Sequence, residues 1–167
     1  MHLIFDVFYN DELNEANVAC IAFDSFKNSN IILEKTITVN GISEYKSGSF
    51  YKRELPCIMK FINTIDIKEI ESIVIDGYVF LGDKKEGLGA KLYHQLNNSI
   101  PIIGISKNEF KNNNDAILVI RGKSIKPIYV TSIGIDTIEA SDIVKNMDGE
   151  YRLPNLVKMV DKLSRNI

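Results

Sequence analysis

The sequence predicts an α/β domain built on one sheet of mixed strand direction, and two observations carry that prediction. Three β-rich stretches open the chain with turn-length links between them, and links that short join antiparallel neighbours. Beyond residue 50, short apolar runs bounded by turns alternate with helical patterns, as expected of crossover units that add parallel strands.

The first strand is "HLIFDVFY" (2–9), rich in β-branched and aromatic residues and closed by the turn-like "NDELN". "EANVACIAFDSF" (15–26) alternates well enough for a second strand, and "NSN" (28–30) turns into a third, "IILEKTITV" (31–39). Ile31, Leu33, Lys35, Ile37 and Val39 share one face of that strand. A polar loop (40–49) leads to "FYKRELPCIMKFINTI", where Leu55, Ile58, Ile62 and Ile65 have helical spacing. Pro56 suits a first helical turn and would break an interior, so Arg53 and Glu54 are placed at the mouth of this helix.

Ile73 to Ile75 form a short buried strand closed by Asp76-Gly77. "EGLGAKLYHQLNNS" reads as a helix, and "IPIIGIS" (100–106) as another buried strand ending at Lys107. After the loop "NEFKNNND", "AILVIRGKSIKPIYVTSIG" reads as a hairpin, and "TIEASDIVKNM" and "LPNLVKMVDKLSR" as two closing helices. With no internal repeat or linker, residues 1–167 are expected to form a single domain. Three antiparallel strands, a helix, then parallel strands flanked by helices match the ribonuclease H-like plan. There the fourth strand lies parallel beside the first, which makes Asp6 and Asp76 neighbours.

Composition narrows the functional classes. A net charge of −2 excludes gripping nucleic acid by bulk positive charge, so any such contact is local and metal-assisted. Cys20 and Cys57 have neither metal-ligand spacing nor a disulfide-rich setting, and read as reduced, buried thiols of a cytoplasmic protein. No signal peptide opens the chain, and no apolar stretch approaches the roughly 20 residues of a membrane span. His2 and His94 make no zinc pattern. A metal site here has to be built from oxygen.

Asp6 interrupts the apolar run "LIFDVFY", where an unpaired carboxylate would lose several kcal/mol on burial. Alone, it reads as a solvent-facing or turn-capping residue. Beside Asp76 the case changes, because two carboxylates about 5 Å apart repel by roughly 3 kcal/mol at an effective dielectric near 20. A hard divalent cation relieves that repulsion and keeps waters useful for phosphodiester hydrolysis. Glu54 is the obvious third carboxylate. Each residue also has an ordinary explanation, since Asp-Gly is a common turn and a first-turn Glu complements the helix dipole.

Five segments in order resemble the endonuclease V family. "FDVFYNDELNEANVACIAF" is similar to its Asp-Val-x-Tyr opening, and "YKSGSFYKRELP" (45–56) to its Tyr-Ile-Pro-Gly stretch leading into Phe-Arg-Glu and Pro. "IVIDGYVFLGDKKEGLGAKL" resembles its Asp-Gly segment, "IPIIGISK" its Ile-Pro-x-Ile-Gly-Val-Ala-Lys, and the stretch containing "YRLP" its closing block. The resemblance implies magnesium- or manganese-dependent cutting of DNA or RNA, single-stranded or lesion-containing, at the second phosphodiester 3′ to a deaminated base, inosine above all. It implies that Asp6, Glu54 and Asp76 bind metal and that Lys107 lies beside the scissile phosphate. It also makes Tyr45 and Gly48 parts of a wedge beside the lesion, and Gly77 a tight turn against the site.

The chain departs from the family at several points. Lys46 and Ser47 replace the wedge's Ile and Pro, Gly82 and Lys84 stand for a His and an Arg, and Ile135 for a histidine assigned to the catalytic centre. With the sequence starting a few residues before Asp6, the family's N-terminal helical extension is expected to be missing. Two expectations follow: a compact nuclease of altered preference or rate, or a catalytically weak relative that binds nucleic acid or a partner protein. His94, beside Leu92 and Leu96, reads as a boundary or surface residue. "KNEFKNNN" and "RGKSIK" read as solvated loops.

Overall fold

The computed structural model describes residues 1–44 and 50–166. Strands β1 (His2–Asn10), β2 (Glu15–Phe23) and β3 (Ile31–Asn40) form the expected antiparallel meander. β2 ends at Phe23, before the expected residue 26, because its register with β3 shifts after Ala22. There Asp24 takes the Asn30 side-chain amide at 2.7 Å and closes the turn.

Helix α1 (Tyr51–Ile62) starts earlier than the proline suggested. The Phe50 carbonyl accepts from the amides of Arg53 and Glu54, so the first turn forms ahead of Pro56. The proline falls in the second turn, and the helix loses only the one bond its missing N–H would have made. Then follow β4 (Ser72–Asp76), α2 (Leu88–Gln95), β5 (Ile102–Ser106), the hairpin strands β6 (Ile117–Val119) and β7 (Ile128–Ile133), α3 (Thr137–Lys145) and α4 (Asn155–Arg165). The described strands form one sheet in the order β3-β2-β1-β4-β5-β7-β6. β4 runs parallel to β1 and β5 parallel to β4, while β7 turns back antiparallel to β5 and carries β6 at the edge.

Side chains alternate across a strand, and this sorts the core into two layers. Leu3, Phe5, Ile73 and Ile75 face α1 and α2, meeting Ile58, Phe61 and Leu92. Ile4, Val74, Ile103 and Ile105 face α3 and α4, meeting Ala140, Val144, Leu156 and Val160. Phe5 and Phe61 pack edge to face at 5.3 Å, and each buried ring of this kind stabilises the fold by about 2–3 kcal/mol. Buried Arg121 donates to the carbonyls of Lys145, Met147, Gly149 and Tyr151. That fixes the bend between α3 and α4 and lays α4 along β1 and β2. Cys20 and Cys57 are free and buried. Among the described residues no helix is long and apolar enough to cross a membrane.

Candidate active site at the carboxyl ends of the central strands

Phe5 lies opposite Ile75 in the parallel β1–β4 pair, so Asp6 and Asp76, each one residue further on, stand side by side. The alternation that sends Ile4 and Val74 toward α4 sends both carboxylates to that same side. Lys107 follows the neighbouring strand β5, in phase with Ile103 and Ile105, and its Nζ lies 3.5 Å from Asp76 Oδ2. The backbone around it is held from several directions. The Arg152 guanidinium donates to the carbonyls of Lys107 and Pro127. The Tyr78 hydroxyl donates to the Asn108 carbonyl at 2.6 Å, and the Ser106 hydroxyl to the same oxygen at 3.0 Å.

Glu54 approaches from the opposite layer, in the first turn of α1, with only 4% of its surface exposed. It joins Asp6, Asp76 and Lys107 in lining a cleft of about 320 Å³. Asp161 and Arg165 of α4 line it as well, paired at 3.2 Å between Nε and Oδ1. Ser164, wholly buried on α4, donates its hydroxyl to Asp6 Oδ2.

Three carboxylates in so small a volume disturb one another's ionisation. Burial raises the Asp6 carboxyl above its ordinary value; the Ser164 hydroxyl opposes this, and Asp76 and Asp161 add repulsion. Burial also raises Asp76, with Lys107 opposing. Glu54 is raised well above the carboxylate range, first by burial and then by Asp76 and Asp6. Its Oε2 is buried and, among the described residues, has no hydrogen-bond partner. An unpartnered buried carboxylate oxygen facing two others is a place for positive charge.

The donor set fits a hard divalent cation. Among the described residues no three acidic, histidine or cysteine side chains converge as a ready cage. Magnesium needs none, because it binds through one or two carboxylates and fills the rest of its shell with water and substrate phosphate. Asp6 and Asp76, adjacent on one face, are a pair that could hold such an ion.

Asp6, Glu54, Asp76 and Lys107 are thus brought together as the sequence suggested. Gly77 lies next to them with φ of +143°, a conformation side chains disfavour. It lines a second, largely apolar pocket of about 240 Å³ with Tyr51, Tyr78, Leu81, Leu88 and Phe110, and Asp76 borders both spaces. Tyr45 and Gly48, like Lys46 and Ser47, lie outside the described residues.

The positions of the missing histidines are corrected by the fold. β7 runs antiparallel to β5, with Tyr129 opposite Ser106 and Ile133 opposite Ile102. Ile135 therefore sits at the far end of the sheet from Lys107, where it packs on the α3–α4 core. Gly82 (φ +96°) has the Asn112 carbonyl where a Cβ would come within 2.8 Å, so the local backbone admits only glycine. Lys84 turns to Asp115, 2.8 Å away. None of the three lines the cleft. His94 is half exposed on α2, hydrogen-bonded to Asn98 and Glu86.

Sequence reasoning missed α4's contribution of Asp161, Ser164 and Arg165. One signal was available. Ser164 continues the buried stripe of Leu156, Val157 and Val160, and a hydroxyl on a core stripe needs a polar partner in the sheet.

Fold and cleft together define a ribonuclease H-like domain whose acidic residues gather at the carboxyl ends of the first and fourth strands. The Endonuclease V family model matches residues 4–123. The endonuclease V of Trichormus variabilis is 26% identical over 92% of this chain and 76% of its own length, and that of a Nostoc species is 25% identical over the same shares. Among solved structures, Ciona intestinalis endonuclease V, in complex with a 24mer DNA containing an inosine followed by a ribo-adenosine, superposes with a TM-score of 0.85. It is 22% identical, over 99% of this chain and 84% of that one. Human ENDOV gives 0.77 at 19% identity, over 99% and 82%. The chain belongs to the endonuclease V family, a family of nucleases.

Proposed function

We propose that this protein is a metal-dependent endonuclease that hydrolyses a phosphodiester 3′ to a deaminated base, inosine first, in DNA or RNA. The observation that carries the proposal is the buried acidic cleft, in which Glu54 Oε2 lacks a partner among the described residues and the Asp6, Glu54 and Asp76 carboxyls are all raised. Magnesium or manganese, when bound, supplies charge stabilisation on the phosphate and a more acidic water. Asp6 and Asp76 would hold it, and Glu54 would close the site from the α1 layer. Lys107 places its ammonium beside Asp76, where it stabilises negative charge developing on the phosphoryl oxygens. Ser164 orients the Asp6 carboxylate, leaving its other oxygen for the site.

The apolar pocket beside Gly77 suits one flat base. It is lined by aromatic and aliphatic side chains and opens next to Asp76, as base extrusion requires when the base must leave the stack near the reacting bond. The wedge departures bear on preference. Ser47 lacks the torsional constraint of a proline, and Lys46 replaces an apolar residue, so insertion into a duplex is less well prepared. Single strands, with little unstacking to offset, are the favoured substrate.

The test is incubation of the purified protein with inosine-containing and matched control strands, single and duplex, DNA and RNA, in magnesium, manganese and chelator. Metal-dependent cuts 3′ to inosine, faster in single strands, are expected. Binding of the same strands without cuts in either metal would favour a nucleic-acid-binding relative instead.

A further inference from the structure

We infer that Phe8 and Arg165 form a nucleobase-stacking contact on the α4 side of the cleft, for the nucleotide next to the scissile phosphate. The inference deepens the nuclease proposal and depends on it. Phe8 is two residues from Asp6 on the same strand, so it projects from the same face, about 7 Å along. It packs into neither apolar core and keeps 37% of its surface exposed. A lone exposed phenylalanine is common and needs no explanation. This one is covered on one side by a guanidinium that itself lines the cleft: Arg165 Cζ lies 5.1 Å from the ring centroid.

The pair is also held in place. Arg165 Nε bonds Asp161 at 3.2 Å, and Asn17, across the ladder from Phe8, donates to the Ser164 carbonyl at 2.5 Å. The last turn of α4 is thereby fixed against the sheet, and the two flat groups are ordered before any ligand arrives. An ordered aromatic ring beside a planar cation is what a base stacks on without regard to its identity.

Its position completes a path. The apolar pocket of Tyr51, Leu88 and Phe110 belongs to the α1–α2 layer, and Phe8 and Arg165 to the α4 layer. The carboxylates and Lys107 lie between them at the strand ends. A single strand with one base in the pocket and a phosphate further along its 3′ side at Asp76 would cross the rim of the sheet and bring the nucleotide next to that phosphate over Phe8.

The experiment is equilibrium binding of short fluorescent single strands in calcium, by parent, Phe8→Ala and Phe8→Trp, with an abasic residue moved one position at a time past the inosine. Phe8→Ala should weaken binding about tenfold or more, the effect of losing one stacked base, and Phe8→Trp should retain it. One abasic position should weaken the parent by the same factor and weaken Phe8→Ala no further. Melting temperatures of the variants, expected to match the parent, show that the change is not one of folding. Parent and Phe8→Ala binding alike, or both losing affinity equally at every abasic position, would overturn the stacking contact alone. A parent that binds no strand at all would overturn the nuclease proposal with it.

Discussion

The two ends of the central sheet are made from the same strands and treat charge in opposite ways. At the amino end, several polar groups are matched. The Met1 ammonium lies 2.6 Å from Glu71, His2 Nδ1 is 2.9 Å from the Ser72 hydroxyl, and Asp136 accepts two amides as the cap of α3. Glu71 is accordingly held below its ordinary value, first by its hydrogen bond to the chain's amino group. At the carboxyl end, Asp6, Glu54 and Asp76 are raised, and one buried oxygen of Glu54 has no partner among the described residues. One end is arranged for the folded state by itself. The other is left electrostatically incomplete, and under the proposed function a cation would complete it.

Substitutions at the two ends should separate by orders of magnitude. Asp76→Asn keeps the shape and removes a ligand charge, so cleavage measured in manganese should fall about a thousandfold or more, with the fold intact by circular dichroism. Lys107→Ala should slow turnover by about ten- to a thousandfold with little change in melting temperature, since the side chain is partly exposed and supports no core. Ser164→Ala should weaken metal affinity or activity about ten- to a hundredfold, as loss of a group orienting a metal ligand does. At the matched end, Glu71→Ala removes an exposed ion pair. It should change stability by at most about 1 kcal/mol and leave cleavage as in the parent. A large activity loss in Glu71→Ala, or none in Asp76→Asn, would erase the contrast.

The same contrast explains what was legible in the sequence. The antiparallel opening meander follows from local patterns, whereas the parallel pairing of β1 with β4, and with it the meeting of Asp6 and Asp76, came with the ribonuclease H-like plan, and the place of Lys107 with the family resemblance. Alternation fixes a side chain's face, and short links fix strand direction. Pro56 was placed one turn too early because the bonds that start α1 come from Phe50, which nothing in the proline's local rule reveals. Asp161 and Arg165 were missed because α4 reaches the site only through tertiary packing, more than 150 residues from Asp6 in the chain. Ile135 was misplaced because the direction of β7 decides which end of the sheet it reaches, and an antiparallel return sends it away from the cleft.

The central claim, that the incomplete end is completed by a divalent cation, is tested most directly by thermal melting across pH in chelator and in manganese. The parent and the Asp6→Asn, Asp76→Asn double variant are compared. Because the folded-state values of Asp6 and Asp76 are raised, their contribution to stability is full below the ordinary carboxylate range and is lost as pH rises through the raised values. In chelator the parent should therefore lose stability relative to the double variant as pH climbs from about 4 toward neutrality. Manganese should restore it at neutral pH in the parent and do nothing for the double variant. An equal manganese response in both proteins at neutral pH would contradict the account.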